Sequence, residues 1–329
     1  MLEEILHSTI QRPAPAALLV GHETNDDAAV YDLGNGTALI SSTDFFSPLV
    51  NDAFTFGKIA AANAISDIYA MGGKPLIAIA ILGWPVEKLP TAMAQQVIEG
   101  GRTICEQAGI PLAGGHSIDN PEPIFGLAVS GIVPIENLKK NNTAQVGDWL
   151  LLTKPLGTGV LASAEKKGLL DATQQSMLFE ALCSLNQIGT ALGAIKGVSA
   201  ITDITGFGLM GHLVEMVKGS NASAAIYYDR LPVLPNVKEL IAQRVFPDAT
   251  TRNWSAYQDK IRFEKGVNVM EAFTLLPDPQ TNGGLLISVA PDALETVQEL
   301  FKEQGYGAQI EPIGKIIDQE EKTLIVYPN

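Results

Sequence analysis

Ala28-Ala29-Val30-Tyr31-Asp32-Leu33-Gly34-Asn35-Gly36-Thr37-Ala38-Leu39-Ile40-Ser41-Ser42-Thr43-Asp44 is a hairpin written out in sequence. Asn-Gly between two apolar runs is a tight-turn signal, so strands are expected over 28–33 and 37–43. Downstream, a helix is expected over 56–71, stopped by Gly72-Gly73 and Pro75. A buried strand over 76–82, an amphipathic helix over 91–108 and strands over 110–113 and 125–133 complete this half. Upstream lie one short helical candidate, 2–10, and a connector with Pro13 and Pro15. The polar stretch 136–147 marks a boundary, so domains are expected at 1–140 and 141–329. The second half predicts strands over 149–153, 200–203, 224–228 and 285–289 and helices over 160–167, 174–192, 209–218 and 291–304. Strands and helices intermix without a repeated βαβ rhythm, which indicates two α+β domains rather than a doubly wound sheet.

The 329 residues carry 22 Lys+Arg against 36 Asp+Glu, a formal net charge of −14, with 46% hydrophobic and 18% charged residues. This is a folding composition, not a disordered acidic one, and it excludes a basic nucleic-acid footprint. An acidic protein that binds an anion needs a positive mediator, and a metal ion is the obvious one. Cys105 and Cys183 are too few for a disulfide framework or a Cys-rich zinc site, and the four histidines lack ligand spacing. The longest apolar run, within 75–85, is too short to span a bilayer, and the N-terminus has no signal-peptide pattern. Cytoplasmic location, with neither membrane nor nucleic acid as partner, is therefore expected.

The aspartates carry the chemistry. Asp26-Asp27 precede the first strand of the hairpin, Asp44 ends the second, and Asp203 ends a strand and enters a Gly-rich turn. Asp67 sits inside a helix that is apolar nearly all round, one turn after Asn63 on the same face. A buried ionised Asp there needs a hydrogen-bonding or cationic partner, or a metal. The other aspartates also suit turns and helix caps. Converging carboxylates would repel by about 4 kcal/mol per pair at 4 Å and an effective dielectric of 20, a cost that a multivalent cation relieves. Carboxylate oxygens suit Mg²⁺ or Mn²⁺, and Mg²⁺ brings phosphate oxygens with it.

Three glycine segments, Gly114-Gly115-His116-Ser117, Thr205-Gly206-Phe207-Gly208 and Thr281-Asn282-Gly283-Gly284, could offer backbone N–H groups to an oxyanion or serve as turns. Gly206-Phe207-Gly208-Leu209-Met210-Gly211 matches a dinucleotide fingerprint, with Asp229 as its acid, but the chain around it lacks βαβ repeats. There is no Walker-type phosphate loop. His116 suits either phosphate contact or a structural bond. Lys154, ahead of Pro155-Leu156-Gly157, is a further site candidate, whereas Lys139-Lys140 reads as a solvated pair and both cysteines as packing residues.

Asn25-Asp26-Asp27-Ala28-Ala29-Val30, Ser42-Thr43-Asp44-Phe45-Phe46, Asn63-Ala64-Ile65-Ser66-Asp67, Met71-Gly72-Gly73-Lys74-Pro75, Ala113-Gly114-Gly115-His116-Ser117, Asp203-Ile204-Thr205-Gly206-Phe207-Gly208 and Asp278-Pro279-Gln280-Thr281-Asn282-Gly283-Gly284 occur in this order. Together with Thr251-Arg252-Asn253, they resemble the selenophosphate synthetases of the aminoimidazole-ribonucleotide-synthetase superfamily. The resemblance implies that superfamily's two-domain fold, a homodimer pairing through N-terminal strands, and conversion of ATP, selenide and water to selenophosphate, AMP and phosphate. It implies Mg²⁺ held by Asp27, Asp67 and Asp203, and K⁺ as a monovalent cation. It also implies ATP contacts from Thr24, Asn25, Asp26 and Asp44, support from Asn63, and Gly115, His116 and Ser117 reaching the nucleotide of the partner subunit. The family's catalytic Cys or selenocysteine and its Lys lie upstream of where Met1 falls, so the resemblance assigns no catalytic residue here and implies weak Mg·ATP binding and slow turnover. Asn282 stands where the superfamily often has Ser, a change a tight turn tolerates. The competing readings are a superfamily relative that makes an amidine or a phosphorylated metabolite, and a non-catalytic nucleotide-binding scaffold.

Overall fold

The computed structural model describes residues 15–21 and 25–329; the expected helix over 2–10 and Thr24 lie outside them. The first half is a six-stranded sheet made of β1 (Leu18–Val20), β2 (Ala29–Asp32), β3 (Thr37–Phe46), β4 (Lys74–Trp84), β5 (Leu112–Asp119) and β6 (Ile124–Pro134), in the order β1-β2-β3-β6-β4-β5. The Asn-Gly hairpin is β2–β3, antiparallel, with Val30 opposite Ile40. Only β4 and β5 run parallel.

Two helices cover one face of this sheet, α1 (Ala53–Ala70) and α2 (Thr91–Gln107). The Asp52 carboxylate caps α1 by accepting from the Thr55 N–H at 2.7 Å. The helix is buried almost throughout, as its all-round apolar sequence predicts. Its small residues let neighbours approach closely: a Cβ on Gly57 would lie 2.0 Å from the Val97 carbonyl of α2, and one on Gly100 would lie 2.0 Å from the Phe54 carbonyl of α1.

The second half carries β7 (Trp149–Leu152), β8 (Val198–Asp203), β9 (Ser223–Tyr227), β10 (Ile261–Phe263), β11 (Leu285–Val289), β12 (Gly314–Ile317) and β13 (Leu324–Tyr327), ordered β10-β13-β9-β12-β7-β11-β8. Around them lie α3 (Thr158–Lys166), α4 (Ala172–Cys183), α5 (Ile188–Gly193), α6 (Gly208–Gly219), α7 (Val237–Ala242), α8 (Asp248–Tyr257), α9 (Val269–Leu275) and α10 (Leu294–Glu303). β11 is buried on both faces, as its unbroken apolar run requires. The fold is α+β, and apolar packing is continuous between the two halves.

Several expectations need correction. The single helix over 174–192 is two helices, α4 and α5, with an irregular break that includes Ser184 and Asn186. Gly114-Gly115-His116-Ser117 lies within β5, not after a strand. β3 continues past Asp44 to Phe46, so Asp44 is a strand residue. Lys139 is buried, not solvated: its ammonium donates to the Ile195 and Val198 carbonyls at 3.1 and 2.7 Å, while Lys140 donates to the Leu19 carbonyl at 3.3 Å. The dinucleotide fingerprint does join β8 to α6, but β8 is an edge strand antiparallel to β11 and far from β9 in strand order. No parallel βαβ crossover forms there.

Candidate active site

The site lies on the seam between the two sheets. On β3, Ala38, Ile40, Ser42, Asp44 and Phe46 alternate onto the side that packs α1, so polar Ser42 and Asp44 interrupt an otherwise apolar face. On α1, Asn63, Ser66 and Asp67 share one face at spacings of three and four. Ser42 donates to the Asp67 carboxylate and the Asn63 Nδ2 group donates to Asp44. Ser66 turns to the other half and donates to Asp203 Oδ2 at 2.6 Å. Asn186, in the break between α4 and α5, donates to Ser66 Oγ at 2.8 Å and to the Gly283 carbonyl at 2.9 Å. Thr202, next to Asp203 on β8, donates to Asp27 Oδ1 at 2.8 Å.

Asp26 helps to hold the entry segment. Its Oδ1 accepts from the Asn141 N–H at 3.1 Å, and Asn141 Nδ2 donates to the Asn25 carbonyl at 2.9 Å. Asn25 is left-handed (φ +49°), a conformation Asn adopts more readily than most residues. Oδ2 of Asp26 and Oδ2 of Asp27 are buried and accept no hydrogen bond from the described residues.

Burial raises every one of these acids. Asp67 and Asp27 stand well above the ordinary carboxylate range, first because they are buried and second because each faces Asp203; Asp27 also faces Asp26 and Asp67. Burial pushes Asp203 up to about 6, opposed by the Ser66 hydroxyl and by the Lys154 ammonium. Burial lifts Asp26 to about 6 against the Asn141 and Asp27 N–H groups, and raises Asp44 against the Phe45 N–H and the Asn63 amide. Asp27, Asp67 and Asp203 thus repel one another, Asp203 buried and the other two half-buried. Among the described residues no three His, Cys, Asp or Glu side chains close on one point as a finished cation cage.

Asp26, Asp27, Asp44, Asn63, Asp67 and Asp203 come together as this hydrogen-bonded cluster. Gly115, His116 and Ser117 do not join it within one chain. They sit on edge strand β5, three strands from β3, about 14 Å at the usual ~4.8 Å strand spacing. His116 pairs in register with Ile81 and faces the open side of the sheet. Sequence reasoning assigned no role to Ser42, Ser66, Asn141, Asn186 or Thr202. The first two lie inside quoted motifs, and the hydroxyl spacing Ser66-Asp67 could have signalled them. Nothing local marks Asn186 or Thr202.

The glycine segments divide by role. In Asp278-Pro279-Gln280, the Gln280 Oε1 accepts from the Gly157 and Thr158 N–H groups, each at 3.1 Å, and Asp278 Oδ2 accepts from the Val160 N–H at 3.3 Å. These side chains satisfy the first turn of α3. Asp278 is fully buried with Oδ1 unpartnered, and burial pushes it up to about 7. At the other glycine turn, the His212 Nε2 accepts from the Thr205 N–H at 3.1 Å, and burial holds this imidazole neutral down to about pH 4.

Comparison with known proteins follows this geometry. Residues 25–133 match the model for the N-terminal domain of AIR synthase related proteins, and residues 145–327 match the model for their C-terminal domain. The chain is 51% identical over 329 residues, its whole length and 93% of the relative's, to a selenide, water dikinase of Photorhabdus laumondii. It is 54% identical over 318 residues, 97% of the chain and 90% of the relative, to one of Salmonella typhi. Among solved structures, thiamine-monophosphate kinase from Stenotrophomonas maltophilia superposes with a TM-score of 0.68 at 19% identity, covering 95% of this chain and 92% of the other. A hydrogenase maturation protein in complex with ATP gives 0.69 at 16% identity, covering 91% and 84%. These distant structures share the fold; the identity to the dikinases, sustained through both domains, makes this chain a member of the selenide, water dikinase family.

Proposed function

We propose that the chain synthesises selenophosphate from ATP, selenide and water, releasing AMP and phosphate, with the seam cluster as its nucleotide site. The observation that carries the residue assignment is the convergence of half-buried Asp27 and Asp67 on buried Asp203, with Asp27 Oδ2 unpartnered among the described residues. The donor set fits Mg²⁺, which takes carboxylate oxygens and leaves positions for phosphate oxygens and water, so an incompletely closed ring of acids suits it. Bound there, Mg²⁺ would neutralise charge on the transferring phosphoryl groups. Asp27, Asp67 and Asp203 hold it. Asp44, Asp26, Asn25 and Thr24 orient the nucleotide and its metals, and Asn63 supports the phosphates. K⁺ serves as the monovalent cation. Ser42, Ser66 and Thr202 fix the carboxylate rotamers, so the acids are positioned before the ligand arrives.

A homodimer completes the site. Tyr31, Phe45, Ile77, Ile79 and Ile118 are 40–51% exposed and all lie on the side of the first sheet that carries no helix, in register with His116. Exposed apolar residues gathered on one sheet face support an association surface there. A second copy seated on it brings Gly115, His116 and Ser117 to the partner's nucleotide. No helix among the described residues is long and apolar enough to cross a membrane, and two buried free thiols suit the cytoplasm. The decisive experiment measures nucleotide products with selenide present. AMP is expected; ADP as the sole product would favour a small-metabolite kinase, and absence of Mg·ATP binding would favour a scaffold.

A further inference from the structure

One buried cation faces this anionic seam from the second half. Lys154 follows β7 and is 7% exposed, and burial pulls its ammonium down to about 7. Its Nζ donates to the Ser184 carbonyl at 2.8 Å and the Asn282 carbonyl at 2.9 Å. Both acceptors lie in irregular backbone: the break between α4 and α5, and the turn before β11. A buried ammonium is expensive to desolvate; the Asp203 carboxylate offsets part of that cost through space, and the hydrogen bonds themselves go to the two carbonyls. Those two bonds fix the backbone on either side of it.

Asn282 is left-handed, φ +49°, and its side-chain Nδ2 donates to the Leu182 and Ser184 carbonyls at 2.8 and 2.7 Å. Lys154 and the Asn282 side chain therefore clasp the same Ser184 carbonyl. The turn is pinned from both sides, and its Asn282 N–H is aimed at Asn63 Oδ1, 2.7 Å away. That bond decides which way the Asn63 amide points. With Oδ1 engaged by the turn, Nδ2 must face the Asp44 carboxylate, where it donates. The opposite amide orientation would set Oδ1 against a carboxylate and an NH₂ against an N–H, two repulsive contacts in place of two bonds.

We propose that Lys154 is a positioning residue for the ATP site: its ammonium pins the Thr281-Asn282 turn, which locks the Asn63 amide with its NH₂ on Asp44. The inference rests on the nucleotide-site reading given above. It extends that reading to a residue outside the cluster, acting through a backbone N–H rather than by touching ligand.

The test uses the full chain and a non-hydrolysable ATP analogue with Mg²⁺, titrated by calorimetry, with melting followed in parallel. Lys154→Met keeps an unbranched stem and removes the ammonium. It is expected to weaken binding about tenfold, and Asn63→Ala to weaken it comparably. Because Lys154 acts through Asn63, the double variant should bind no worse than Asn63→Ala alone, a non-additivity that a general loss of stability does not produce. Lys154→Met binding within about twofold of wild type, or losses that multiply in the double variant, would overturn the proposal. If Lys154→Met does not fold, Lys154→Gln takes its place, a neutral side chain that retains an N–H donor, and the same cycle with Asn63→Ala decides. Asp67→Asn reports separately. If it binds as wild type does, or wild type does not bind at all, the nucleotide-site reading fails and this inference fails with it. If Asp67→Asn is impaired and Lys154→Met is not, only this inference fails.

Discussion

At the scale of single residues, the cluster sets function against stability. Asp67 is half-buried and faces Asp203, so its charge opposes the folded state in the absence of the proposed cation. Asp67→Asn should therefore lose Mg·ATP affinity by at least about tenfold in calorimetry while melting at the same or a higher temperature than wild type without ligand. Asp278 gives a pH test away from the proposed metal ligands. Its folded pKa, about 7, lies above the unfolded value of 3.8, so it contributes stability below pH 4 that is lost as pH rises toward and through 7. An amide at that position does not titrate. The unfolding free energy of wild type relative to Asp278→Asn should thus fall between pH 4 and pH 8, by an amount on the order of a few kcal/mol, and a difference that stays flat in denaturant unfolding would contradict the assignment. The acids of the cluster were legible because an Asp inside an apolar helix, or at a strand end beside glycines, is conspicuous. Thr202 and Asn186 were not, because a hydroxyl or amide acquires a role only from what another part of the chain brings to it.

At the scale of elements, α1 does most of the positioning. Its sequence announced both a helix and its burial, since alanines and isoleucines surround Asn63 and Asp67. The small residues had a less legible purpose: Gly57 and Gly100 let α1 and α2 approach backbone to backbone. Gly100→Ala should cost about 2–3 kcal/mol in denaturant unfolding by forcing the helices apart, and by tilting α1 it should also weaken Mg·ATP binding. The break between α4 and α5 was invisible because the sequence reads as continuous helix through 174–192. What stops it is tertiary: Asn186 bonds Ser66 and Gly283, and the Ser184 carbonyl accepts from Lys154 and Asn282. Local propensity does not contain those partners. In the last third, β10, β12 and β13 are three or four residues long, too short for alternation to rise above its surroundings.

At the scale of the whole molecule, the α+β class followed from the irregular alternation of strands and helices, and the family followed from the order of its motifs. The strand order did not, because pairing of β3 with β6, which joins residues 37–46 to 125–134, depends on contacts across most of the first half. The open face of that sheet yields an assembly prediction. On the proposed dimer, Ile79→Asp would place a charge in this face; sedimentation is then expected to show wild type as a dimer and the variant as a monomer, with nucleotide binding weakened through loss of the proposed His116 contact across the interface. The seam has one more consequence. Its acids come from strands and a helix drawn from the two halves, so the proposed divalent nucleotide complex, bridging them, would behave as a rivet between the two sheets. Protection of amide hydrogens from exchange along β8 and the middle of α1 should climb together as ligand is added, because neither half can open there without letting go of the same ion.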